Sequence, residues 1–90
     1  MNGVEIIKKE REKQITKYGY DSKHDLGYQD KQLLRAALAY LFYAINGNED
    51  SVDQWPWDMI YFKPDSYEDC LAKVGAFVAA ELDRMQEECI

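Results

Sequence analysis

Residues 33–45 read LLRAALAYLFYAI, a run in which Arg35 is the only charge. Apolar residues fall on every side of a helix drawn through it, which predicts a buried helix at the centre of the fold. Asp30 is placed to cap that helix and Gly47 to stop it, giving a span from about Lys31 to Asn46. Ala36, Ala37 and Ala39 leave room for neighbouring helices to approach closely.

Two further helices flank it. The first is expected from about Gly3 to Tyr18, capped by Asn2 with Glu5 as reciprocal partner and stopped by Gly19. Val4, Ile7, Arg11, Ile15 and Tyr18 recur at spacings of three and four and mark its inner face. The third is expected from about Tyr67 to Glu87 or beyond, with Ser66 and Asp69 as a capping box. Its apolar stripe is Leu71, Val74, Val78, Leu82 and Met85, flanked by Gly75, Ala76, Ala79 and Ala80. A glycine inside a helix costs about 1 kcal/mol relative to alanine, so Gly75 implies close contact with a helix or ligand. Residues 20–29 and 47–54 read as loops. Between Trp55 and Phe62, Pro56 suits the first turn of a short helix, while Tyr61-Phe62 suits extended chain equally well. The expectation is an all-α fold: a small bundle of three main helices, the second central, with a short aromatic segment packed across one end.

Charged residues interrupt the packing faces. Arg11 lies between Ile7 and Ile15 on the expected inner face of the first helix, with Glu10 and Gln14 beside it. Lys73, Phe77, Glu81 and Arg84 share a second face of the third helix. Polar groups set into a packing face are costly unless each finds a partner or a ligand. Two readings follow. Arg11 pairs with Glu81 or Asp83 as a structural ion pair, or it holds an anionic group of a ligand. On the third helix, the charges are either solvated around one exposed phenylalanine or form a mixed polar and apolar wall. Trp55 and Trp57 offer core anchors or stacking surface, and Lys63 sits beside them.

Bulk properties exclude several classes. Ninety residues predict one domain, spanning 1–90. The net charge of −6 argues against direct DNA or RNA binding and against anionic lipid, both of which need a basic face. With 13% aromatic residues, many of them Tyr, the chain is expected to complete its core as a homodimer or larger assembly. Cys70 and Cys89 bracket one helix about 28 Å apart, too far to bridge, and free thiols point to a reducing compartment. No signal peptide and no membrane-spanning run are read from the sequence, so the expected location is the cytoplasm.

Cofactors and metals are not expected. His24-Asp25 suggests a phosphohydrolase site, but such sites need further histidines and His24 is the only one. Two distant thiols and one imidazole do not make a zinc set. Small all-helical nucleotide pyrophosphohydrolases carry E-x-x-E and E-x-x-D pairs; Glu5, Glu10, Glu12 and Glu81 are followed at that spacing by Lys8, Lys13, Ile15 and Arg84. Asp65-x-x-Glu68 comes nearest in form and sits at a helix start.

One set of residues carries a resemblance: Glu10-Arg11 with Gln14, Gly19, His24-Asp25, Ala36-Ala37 with Tyr40, Trp55-Pro56-Trp57, Lys63-Pro64, and Lys73-Val74-Gly75-Ala76 with Ala80-Glu81 and Arg84. Together they span most of the chain, which resembles a family of short phage and prophage proteins of unassigned biochemical role. Val74 stands where the family usually has alanine, and Tyr61-Phe62 where tryptophan is commoner. The resemblance implies a phage context, in which proteins of this size often act as stoichiometric binders of host defence components or nucleotide signals.

The expected function is a non-enzymatic binding protein with a nucleotide-like ligand in a cleft between the first and third helices, shared between subunits, or a host protein as partner. Arg11, Lys63, Lys73 and Arg84 would meet phosphates; Trp55, Trp57 and Tyr40 would stack; Glu10, Gln14, Asp25 and Glu81 would orient the cations or read base and ribose edges. Two alternatives stand beside it: a small nucleotide hydrolase with Glu10, Asp25, Glu81 and Asp83 around a divalent metal, and an acidic protein-protein inhibitor.

Overall fold

The computed structural model describes residues 1–18, 31–47 and 52–88. Among the described residues there are three α-helices: α1 (Gly3–Tyr18), α2 (Gln32–Asn46) and α3 (Tyr67–Glu88). Two short 3₁₀ turns, Val52–Gln54 and Met59–Tyr61, lie between α2 and α3. The described residues contain no strand, so the protein is an all-α bundle. No helix among them is long and apolar enough to cross a membrane.

Local chemistry sets the helix ends. The Asn2 side chain accepts the Glu5 N–H at 2.9 Å and starts α1. Ser66 Oγ accepts the Asp69 N–H at 3.1 Å and starts α3. Gly47, at φ 85°, closes α2 by donating its N–H to the Tyr43 carbonyl at 3.0 Å. The cap of α2 is not Asp30: Lys31 occupies the N-cap in a left-handed conformation, with no side-chain capping bond. Asp30, Gly19 and the expected loop at 20–29 lie outside the described residues. The short helical turn of the aromatic segment starts after Asp58, not at Pro56. The Asp58 carboxylate accepts the Ile60 N–H at 3.1 Å there.

The expected order of packing changes. Both α1 and α2 lie against α3 and hardly touch one another, so α3, not α2, is the central helix. The buried faces shift as well. On α3 the core side chains are Cys70, Ala76, Phe77 and Ala80, while Leu71, Val78, Leu82 and Met85 point outward. On α1 the inner face is Ile7, Glu10, Arg11 and Gln14, and Val4 and Ile15 are exposed. The reason is volume. Leu33, Ala36, Ala37 and Ala39 of α2 share one core cluster with Cys70 and Ala80 of α3, and small side chains let the backbones come close. The space left at one end is filled by rings. Tyr40, Trp55, Phe62 and Phe77 pack with centroids 4.9 to 6.4 Å apart. A core of alanines and aromatics has no place for the leucine stripe.

Gly75 is the contact point of α1 on α3. A Cβ there would lie 2.5 Å from Ile7 Cδ1 and 2.7 Å from Cγ1, so any larger residue forces the Ile7 side chain to shift. This is the close helix contact that offsets the glycine's cost.

Candidate functional site

The Gly75 notch lets α1 settle with a polar face inward. Glu10, Arg11 and Gln14 are only 8%, 8% and 5% exposed. Arg11 Nε and Nη2 both donate to Asp83 Oδ2, at 3.2 and 3.1 Å, and Nη1 donates to Gln14 Oε1 at 3.4 Å. Of the two partners expected on the third helix, Arg11 is joined to Asp83, whose side chain is half exposed. Glu10 faces Lys13 Nζ at 3.3 Å.

On α3, Arg84 grips Glu81 with two bonds, Nε to Oε1 at 2.7 Å and Nη2 to Oε2 at 3.2 Å. Such forked guanidinium–carboxylate bonds are among the stronger polar contacts. Both side chains are largely buried. Lys73 Nζ reaches Asp69 Oδ2 at 2.6 Å and lies 5.8 Å from the Tyr40 ring centroid. Phe77, in the same row as Lys73 and Glu81, is buried, so this face is the mixed polar and apolar wall rather than an exposed ring among solvated charges. The i,i+4 spacing of Asp69 and Lys73 was the sequence signal for that pair.

The aromatic candidates gather in the core. Tyr40 is 2% exposed, and its hydroxyl accepts the Lys63 backbone N–H at 3.0 Å. Burial, joined by the nearby acids Asp69 and Glu10, pushes the Tyr40 hydroxyl up to about 12. Trp55 is buried and donates its indole N–H to the Asp58 carbonyl at 3.0 Å. Trp57 is half buried and meets Trp55 edge-on at 5.2 Å. Lys63 is exposed and anchors through its backbone. Asp25 lies outside the described residues, as do His24 and Cys89. Cys70 is a free, buried thiol, and burial pushes its pKa up.

The expected site residues therefore form two groups. Glu10, Arg11 and Gln14 of α1 form a charged cluster against α3 with Arg11 as the bond across, beside the Glu81–Arg84 pair, and Tyr40, Trp55 and Trp57 close the end of the α2–α3 pair with Lys63 and Lys73 next to Tyr40. A groove of about 410 Å³ lies between α1 and the start of α3, with Lys9 and Lys13 on one wall and Asp65, Glu68 and Asp69 on the other. Of the expected residues, only Glu10 lines it. Among the described residues, no three His, Cys, Asp or Glu side chains converge as metal ligands would.

Of the α3 stripe expected in the core, all but Val74 is on the outside, and further apolar residues lie exposed with it. Tyr67, Leu71, Val78, Leu82 and Met85 of α3 are 40–67% exposed, and Leu34, Leu38 and Ile45 of α2 are 38–68% exposed. Half-buried Leu41 and Val74, the latter also packed against the core, complete two rows, 67-71-74-78-82-85 and 34-38-41-45. Their steps of three and four are those of helix-to-helix seams. Comparison with protein-family models, with known proteins and with solved structures finds no match for this chain.

Proposed function

We propose that this chain is a small non-enzymatic protein-binding module of the phage type its sequence resembles, acting in the host cytoplasm through the apolar rows of α2 and α3. One observation carries the reading: two helices present seam-spaced apolar rows to solvent while their own core is already closed with alanine and aromatic side chains. Apolar surface of this extent on a small domain marks an interaction site.

The same geometry weighs against a nucleotide as the ligand. Phosphate binding needs cations free to turn to it, and of the four expected ones Arg11, Lys73 and Arg84 are held by Asp83, Asp69 and Glu81, while Lys63 is exposed. The stacking candidates Tyr40, Trp55 and Trp57 have their rings packed against other rings. The Arg11–Asp83 pair is the joint that fixes α1 on α3. It sets which surface α3 shows.

A photo-crosslinking residue in place of Leu71 or Leu82, in bacteria producing the chain, tests the reading. Ultraviolet light is expected to give protein adducts from both positions and none from the exposed Glu5, their composition read by mass spectrometry. Absence of any adduct removes the proposal. A rise in Tm on adding nucleotides, lost in Arg11→Ala, would replace it with the nucleotide-binding reading.

A further inference from the structure

Charge and area together identify an occupant for these rows. The α3 helix holds six acidic residues against two basic ones; Lys73 and Arg84 are held by Asp69 and Glu81, and Arg11 of α1 holds Asp83, which still leaves a net excess of three acids. The α2 helix and its Lys31 cap hold two basic residues, Lys31 and Arg35, and no acid. Both basic residues are exposed. One row is thus apolar with an acidic setting and the other apolar with a basic setting, on the same chain. Laying α3 on α3 of another copy would set acid against acid; laying α2 on α3 sets base against acid.

We infer that the rows are covered by a second copy of this chain, α2 of each copy lying on α3 of the other. The inference rests on the protein-binding reading above and names its partner. A two-fold axis makes the contact twice, so each copy covers both of its rows at once. A standard stable interface covers about 800 Å² per partner, and eight large apolar side chains, each 38–68% exposed, supply surface of the kind it needs. The heptad-like steps of both rows suit a bundle in which four helices share one core.

Sedimentation of the full chain across micromolar to submillimolar concentration is the test, with helical circular dichroism recorded for each variant. The native chain is expected at twice its own mass. Leu38→Glu puts an acid into the row that faces the acidic helix, and Leu82→Lys puts a base into the row that faces the basic one. Each variant alone is expected to sediment as a single chain with native helical signal. Mixing the two is expected to restore the double mass, because one contact keeps its native side chains and in the other the introduced acid meets the introduced base. A native chain that stays single at every concentration overturns the inference, and so does a Leu38→Glu variant that stays paired, which would mean α3 lies on α3. Adducts to other proteins from Leu71 and Leu82, with a native chain that sediments singly, would overturn self-pairing and leave the protein-binding reading standing. No adducts at all would overturn both.

Discussion

Arg11 shows what one buried charge does in this protein. Its guanidinium spans from Gln14 on its own helix to Asp83 on α3. Removing it leaves Gln14 without a donor and strips Asp83 of its cation. A fully buried pair costs 3–5 kcal/mol to break, but Asp83 is half exposed and water takes over part of the loss. Arg11→Ala is therefore expected to lower stability by about 2 kcal/mol, roughly 10 °C in Tm, with no ligand present. A ligand-binding Arg11 would leave the ligand-free Tm nearly unchanged. Tyr40 makes the second residue-scale prediction. Its hydroxyl pKa is raised to about 12 in the folded chain, against 10.0 when unperturbed. The folded state holds that proton more tightly than the unfolded one, so the stabilisation is complete below pH 10 and is lost as pH rises from 10 towards 12. Thermal melts between pH 8 and 12 check this: Tm is expected to fall above pH 10, and Tyr40→Phe is expected to flatten that part of the fall.

At the scale of elements, the packing of α1 on α3 depends on one missing methyl group. Gly75→Ala gains about 1 kcal/mol of helix propensity but drives a Cβ into Ile7, at a cost of about 1–3 kcal/mol. A net loss of about 1 kcal/mol is expected from denaturant unfolding. In an Ile7→Ala background the same substitution is expected to stabilise. The ends of all three helices were legible to within a residue or two because caps and stops are local: Asn2, Ser66 and Gly47 act on neighbours three or four residues away. The faces were less legible. Leucines and valines at regular spacing on α3 look like a core stripe in any periodicity argument, and only the rings of Tyr40, Trp55 and Phe62, arriving from other parts of the chain, decide that Phe77 goes in and Leu82 stays out. The inward turn of Glu10, Arg11 and Gln14 was legible, because charge on an expected packing face needs a partner. Which partner each found was not fixed by pattern: Arg11 had two acids within reach on α3, and the crossing at Gly75 carries it to Asp83.

For the whole molecule, pairing through the outer rows makes stability depend on protein concentration. A tenfold dilution shifts the balance between pairs and single chains, so Tm of the native chain is expected to fall on dilution while that of Leu38→Glu stays constant. Differential scanning fluorimetry over a hundredfold concentration range reads this directly. The core leaves a separate signal. Both tryptophans of the chain, Trp55 and Trp57, stand at right angles 5.2 Å apart beside Phe77. Indoles held so near and so fixed couple their electronic transitions and give a strong near-ultraviolet circular dichroism band. That band belongs to the α2–α3 joint and not to the outer rows. Its decay reports melting of the joint, while light scattering reports separation of the copies. One sample followed by both optical channels thus orders the two events in time.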